Sequence, residues 1–498
     1  MRLHYSTDPS PTTVTEGLHV YNALDCCITL EVLEAILPQL DRTTVETYNF
    51  ARQLQAPILE MECRGVLIDR ERVGEVRARL NEDLAAVQES FDEICTLGLG
   101  LPQPVNANSP KQMEDLFYGV LDIKPIKKRK PNGTYGPSTD RKSLEKLRAN
   151  FWAEPLVNHI LAIRDIRKKL GVLATGIDPD GRIRTSYNIA GTDTGRLSSY
   201  ESSFGSGTNL QNITAELREI FIADPGKKLA YIDLEQAESR AVGAILWNLF
   251  SDPTYLDFCE SGDLHTNVAK MTFTHLPWTN DAKANKLIAS GLFYREDSYR
   301  QACKKLGHGS NYRGKPPHMA NETRIPVELV EGFQRNYFGA FPAIPEWHRW
   351  VARKLAGDGW LTSFMGRRRH FFGRRHDDET VRAAIAYDPQ GGVADIVNRG
   401  LFAVWQSNLC ELLLQVHDAV VIQYDEAKED EVVPAVQALL EVEVPLARGR
   451  SMRIPTEAQV GWNWAYKGGN NPDGLVKFTG HDGRVRSPQR SFLDRKFY

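Results

Sequence analysis

The sequence predicts an α+β chain, and three observations carry that prediction. Apolar residues recur at helical spacing over long stretches, notably from about Thr43 to Arg64 and from Arg70 to about Leu97. A short apolar run, Leu229 to Asp233, follows the turn-forming Asp224-Pro225-Gly226 and two lysines and reads as a buried strand. Leu412 to Tyr424 reads as two apolar halves meeting at His417-Asp418, a β-hairpin with an acid at its tip. At 498 residues the chain is too long for one core and predicts roughly three or four domains.

Composition narrows the function classes. No run of about 18 apolar residues is present, so no membrane span is expected, and the N-terminus lacks a signal-peptide pattern. The 7 cysteines are scattered without a C-x-x-C pair, which argues against a structural zinc site or a disulfide framework and places reduced thiols in a cytosol. A net charge of −3 hides basic clusters at Lys124–Lys130, Arg164–Lys169, Arg367–Arg369 and Arg374-Arg375. Several such clusters in a near-neutral protein fit contacts to phosphate, while a solvated face explains any one of them alone.

In chain order, residues 1 to about 16 are polar and predict a poorly packed start. A helical pattern opens at Tyr21-Asn-Ala-Leu-Asp25 and places Tyr21 and Asp25 on one face. Beyond a break at Gly98–Pro102, Ser109 reads as an N-cap with Pro110 in the first turn, and Thr139 or Asp140 starts another helix. The intervening basic stretch and Pro131–Gly136 predict an exposed loop, and the region as a whole a mobile arm rather than a core. Asp178-Pro-Asp-Gly181 signals a tight hairpin. Thr192–Ser199 and Asn209–Asn212 are too polar for a core and are either Asx-turn loops or groups that hydrogen-bond nucleic acid.

From Glu235 the residues favour helix, with Ala241, Ile245 and Leu249 on one face. Asp233 therefore sits where a strand gives way to a helix, either as a catalytic carboxylate or as a cap. Arg300, Lys304, His308 and Tyr312 step by four along one helix face, suited to a polyphosphate at one end and a base at the other. Gly307 and Gly309 flank His308 and imply that something large packs closely there. A further helix starts near Thr380 and runs towards Gln390–Asp395. Asp418 at the hairpin tip must face water, a partner charge or a metal, because a core strand does not tolerate an unpaired acid.

Taken together and in this order, these stretches resemble the family A DNA polymerases, from about Tyr21 to Trp464. Thr192–Ser199 and Asn209–Asn212 look like the family's T-x-T-G-R-L-S-S and N-L-Q-N elements. Asp233–Arg240, Arg300–Tyr312 and Gln415–Asp418 are similar to its motifs A, B and C. The resemblance implies a right-hand fold with an antiparallel palm sheet and helical fingers and thumb. Its divisions would be an exonuclease remnant over 1–50, thumb 51–175, palm 176–250, fingers 251–375, and palm with a C-terminal tail 376–498. It implies that Asp233, the Leu234 carbonyl and Asp418 hold two Mg²⁺ ions, with Mn²⁺ able to substitute. Gln236, His265, Arg300, Lys304, His308 and Tyr312 would bind the deoxynucleoside triphosphate, Lys304 also acting in catalysis. Glu238 would exclude a ribose 2′-hydroxyl. Arg196, Asn209, Gln211, Asn212, Arg382, Gln390 and His417 would contact primer–template DNA.

Four positions depart from the family pattern. His308 stands for Phe or Tyr, Arg313 for Gly, Ala386 for Asn, and Ala419 for the acid that usually follows the motif C Asp. The unusual motifs and compact chain suggest a phage-type enzyme, located in the host cytoplasm. Tyr21-x-x-x-Asp25 resembles the last motif of a 3′–5′ exonuclease whose other acids lie upstream, so no autonomous proofreading is expected. A separate exonuclease chain or replication accessory proteins are conceivable partners. The alternatives to a DNA polymerase are a non-catalytic primer–template-binding subunit and a single-subunit RNA polymerase, the latter disfavoured by Glu238.

Overall fold

The structure is a computed structural model that describes residues 14–130, 133–148, 150–202 and 206–480. The polar start up to residue 13 and Pro131-Asn132 of the basic stretch lie outside the described residues. Its centre is a five-stranded sheet in the order Glu411–Val416, Ala419–Asp425, Lys227–Leu234, Thr456–Gly461, Val476–Lys477. Every neighbouring pair is antiparallel. The alternation of strand side chains gives this sheet two unlike faces. Ala230, Ile232, Val420, Ile422, Ala458 and Val460 point into a core closed by the helices Ala237–Phe250, Asp378–Ser407 and Glu429–Leu440. On the opposite face Leu229 and Val421 pack under Phe221 and Trp464. Further along that face, Asp233 and Ala419 stand opposite each other at the sheet's open end.

Three other cores flank or underlie this sheet. Phe91, Met113, Phe117, Leu144, Ile160 and Ile163 are fully buried together, so the region expected as a mobile arm is a packed unit. Its helices are long and amphipathic enough to close on each other, which a count of charged residues does not reveal. The basic stretch is not a plain loop either: Lys127–Arg129 pairs with Tyr135–Pro137. A second core gathers Val242, Ile245, Leu306, Phe333, Tyr337, Trp347 and Tyr387 between residues 242 and 387.

Several local expectations are met. Ser109 and Asp140 accept the capping hydrogen bonds of Gln112 and Ser143. Other expectations need correcting. The helix after Asp233 starts at Ala237, two residues later than expected, because Gln236 adopts the left-handed conformation at φ 56°. The first helix runs Val14–Ile36 and so reaches back into the stretch expected to be loose. The Asp178–Gly181 turn forms, yet the strand after it, Arg182–Ile183, pairs with Val66–Ile68 more than a hundred residues upstream. Gly307 and Gly309 make room for protein: their missing Cβ atoms would meet the Tyr337 ring at 3.6 Å and Met319 at 2.9 Å. Leu197, Ser199, Leu210 and Gln211 are buried, although their polar surroundings predicted no core there.

Candidate active site

The site is assembled at the open end of the sheet from three separate pieces of chain. Strand 227–234 delivers Asp233. The two-residue turn His417-Asp418 brings the second carboxylate beside it, and the Asp418 carbonyl accepts the Leu234 N–H at 3.2 Å. His417 sits at φ 57°, and a buried network holds its turn. Gln415 donates to the His417 carbonyl and accepts from Gln211 Nε2 at 2.7 Å. Tyr187 Oη both donates to the Gln415 carbonyl and accepts its N–H, each at 3.1 Å. Gln211, expected at the DNA, is therefore a buttress of the Asp418 turn. Its Oε1 also accepts the Ser199 N–H at 3.0 Å. A glutamine inside the apolar run Leu412–Val416 was the signal for such a partner, since buried amides are hydrogen-bonded.

The two acids stand unlike ordinary surface carboxylates. Among the described residues the Asp233 carboxylate makes no hydrogen bond or ion pair. Burial, reinforced by the neighbouring Asp418, pushes its carboxyl up to about 7, with Lys304 opposing and Glu457 and Glu235 adding to the rise. Burial also raises Asp418, against the pull of Arg196, whose Nη2 lies 3.6 Å from Asp418 Oδ1. Among the described residues no three acids, histidines or cysteines converge into a ready-made cage. Two close carboxylates, one of them without a partner, nevertheless suit Mg²⁺, which takes few protein ligands and completes its shell with phosphate and water.

Around this pair the sequence-predicted residues fall into two groups. Glu238, in the first turn of helix 237–250, accepts from Arg196 Nη2 at 2.6 Å and from Tyr312 Oη at 2.5 Å, and His308 Nδ1 lies 3.7 Å away. The His308 and Tyr312 rings meet edge to face at 4.8 Å. Arg300 and Lys304 lie on the same helix, Tyr299–Asn311. Lys304 is exposed and, among the described residues, its ammonium makes no hydrogen bond or ion pair. Asp263 holds Arg300 through Nε and Nη2 at 2.7 and 2.8 Å. Burial alone would raise Asp263, but this fork holds its carboxyl at about 2. Burial pushes His265 down to about 4, so it is a neutral ring near pH 7. Gln236 is already engaged: its side chain accepts the Leu264 N–H at 3.1 Å and faces the Gly262 carbonyl at 3.4 Å.

The turn that carries Arg196 is pinned from below by helix 378–407. Gly195, at φ 80°, leaves the space taken by the Arg367 guanidinium, which is forked to the buried Asp395 at 2.6 and 3.2 Å. Gly391 lets the helix approach the Thr194 carbonyl, where a Cβ would sit 3.1 Å away. Gln390 lies on this helix near the turn, while Arg382 is engaged with Asp378 at 3.4 Å. Asn209 Oδ1 accepts from Ser199 Oγ at 2.5 Å, whereas Asn212 and His417 are exposed. Asp263, Asp395 and Tyr187 had no role assigned from sequence, and Arg367, read there as part of a basic cluster suited to phosphate, is instead paired with Asp395, a partner distant in the chain.

Comparison with known proteins places this geometry. The family model for DNA polymerase family A matches residues 70–466. The chain is 28% identical to the thermostable DNA polymerase I of Thermus aquaticus over 433 residues, covering 82% of this chain and 47% of that one. It is 27% identical to the DNA polymerase I of Rhizobium leguminosarum over 470 residues, covering 89% and 43%. The chain thus spans about half the length of these curated relatives, both of them bacterial. In fold it matches the POL domain of Pol1 from M. smegmatis, solved as a complex with DNA primer-template and dNTP. That match has a TM-score of 0.66 at 24% identity and covers 83% of this chain and 69% of that one. Among the described residues no helix is long and apolar enough to cross a membrane. The fold is the polymerase right hand, and the chain belongs to DNA polymerase family A.

Proposed function

We propose that this protein is a template-directed DNA polymerase that adds deoxynucleotides to a primer 3′ end. The observation that carries this reading is the meeting of Asp233 and Asp418, 185 positions apart in sequence, beside Arg196, Glu238, Lys304 and Tyr312 in a member of this family. Asp233 and Asp418, with the Leu234 carbonyl, would hold two Mg²⁺ ions, or Mn²⁺ in their place. When bound, these ions would neutralise the triphosphate and favour the ionised primer 3′-hydroxyl. The remaining catalysis is alignment and charge placement.

Each side chain then has a separable task. Lys304 offers a free ammonium to the triphosphate. Arg300 offers the one guanidinium nitrogen, Nη1, that Asp263 leaves unused. Neutral His265 donates a hydrogen bond rather than a charge. Glu238, clamped by Arg196 and Tyr312, fills the space a ribose 2′-hydroxyl would need. Arg196, Asn212, Gln390, Arg382 and His417 would touch primer or template. Gln211 and Gln236 act through the turns they fix, and Asn209 through Ser199. The thumb would be 51–175, the fingers 251–375, and the palm the segments on either side of the fingers. Separate cores at 91–163 and 242–387 support a thumb and fingers, while Leu54, Ile58 and Met61 pack into the palm core and helix 237–250 is shared between palm and fingers.

Primer extension tests the reading directly. Mg²⁺-dependent addition of deoxynucleotides matched to the template is the expected result. Extension with ribonucleotides only, or no extension despite tight primer–template binding, would favour instead the RNA polymerase or the non-catalytic binding subunit. We also infer that the chain lacks autonomous proofreading. The Tyr21-x-x-x-Asp25 element that resembles one exonuclease motif lies on helix Val14–Ile36, where Tyr21 is exposed. Removal of a mismatched 3′ nucleotide by the pure protein would overturn this.

A further inference from the structure

Strand 227–234 is paired on both sides, so Asp233 has two directly opposed neighbours. One is Ala419, across the hairpin; the other is Glu457, on strand Thr456–Gly461. Directly opposed residues in antiparallel strands leave the sheet on the same face, with Cβ atoms about 5 Å apart. The register confirms the face: Ala458 and Ile232, the next pair along, both lie in the helix-covered core. Glu457 is therefore carried on the open face beside Asp233, and its charge is felt there. Like charges in this relation destabilise a sheet. Among the described residues nothing offsets the pair fully. There the Asp233 carboxylate makes no ion pair, and Glu457 has Lys477 at 3.3 Å in a contact whose side chains are 36% and 63% exposed, a screened pair that leaves most of the charge in place. Ala419, on the other flank, contributes only a buried methyl group.

We propose that Glu457 supplies the third negative charge of the Asp233–Asp418 site, on the opposite flank from Ala419, and raises its affinity for divalent cations through the field rather than as a direct ligand. This rests on the metal-dependent reading of the site given above. The opposed carboxylates are a liability in the bare sheet and become favourable when a cation is held at Asp233. The site thereby compensates, from the neighbouring strand, for the acid that position 419 lacks.

Mn²⁺ titrated into the full chain, with the free ion followed by electron paramagnetic resonance, tests this without recourse to activity. Glu457→Gln should weaken Mn²⁺ binding on the order of fivefold, the size expected for one unit charge acting on a divalent ion near solvent. Glu457→Asp, which keeps the charge, should stay within about twofold of the parent by the same reasoning. Asp233→Asn serves as the reference and should weaken binding more than either. If Asp233→Asn loses affinity while Glu457→Gln does not, the role of Glu457 is overturned and the metal site stands. Equal losses for Glu457→Gln and Glu457→Asp would mark a structural effect and also overturn it. If Asp233→Asn itself binds as the parent does, the metal-dependent reading fails and takes this inference with it.

Discussion

Replacing Asp233 by Asn should stabilise the metal-free protein at alkaline pH. Burial first and Asp418 second push the Asp233 carboxyl from 3.8 up to about 7. The folded state therefore holds this proton more tightly than the unfolded chain does. The contribution of Asp233 to stability is then fully present below about pH 4 and is lost as pH rises through about 7. At 1.36 kcal/mol per pKa unit the full swing is at most roughly 4 kcal/mol. Water in an open cleft screens part of it, so about 1–3 kcal/mol is the expected gain at pH 8. Asn keeps the size of the side chain and removes the charge. Thermal unfolding in EDTA from pH 4.5 to 8.5 should show the variant pulling ahead of the parent as pH rises. Added Mg²⁺ should raise the melting temperature of the parent and leave the variant nearly unchanged. A variant less stable than the parent at pH 8, or a difference independent of pH, would show that the Asp233 charge does not destabilise the fold.

Two further perturbations probe the parts around the acids. Glu238→Ala should lower discrimination against ribonucleotides by about tenfold or more, measured as the ratio of kcat/KM values for matched deoxy- and ribonucleotides. Unchanged selectivity would remove Glu238 from the gate. Asp395→Ala leaves the Arg367 guanidinium buried without its partner, so chemical unfolding should report a loss of about 3–5 kcal/mol. Because Arg367 fills the space beside Gly195, the same variant should bind primer–template more weakly; a loss under about 1 kcal/mol contradicts the buried-pair account.

The parts of this molecule most legible in its sequence are those set by local rules. The strand that carries Asp233 near its end, the hairpin tip at Asp418 and the capped helices at Ser109 and Asp140 follow from short-range pattern and turn chemistry. Long-range partnership was far less legible. Gln211 sits in a polar stretch and looks available to DNA, yet Gln415, 204 positions away, claims it. Asp178–Gly181 announces a turn without announcing that the strand after it pairs with Val66–Ile68. Gly307 and Gly309 correctly signalled close packing, but not that the occupants are Tyr337 and Met319. Glu457 carries no motif at all and becomes visible only through its register opposite Asp233.

In the proposed function Asp233 and Asp418 perform chemistry rather than merely sit in a DNA-binding cleft. Single-turnover addition of one matched deoxynucleotide to a pre-bound primer–template, comparing the parent with Asp418→Ala, tests it most directly. The variant should bind primer–template within a few-fold of the parent while its rate of addition falls by about a thousandfold or more, as loss of a group acting only on the transition state requires. Equal rates in the two proteins would contradict it.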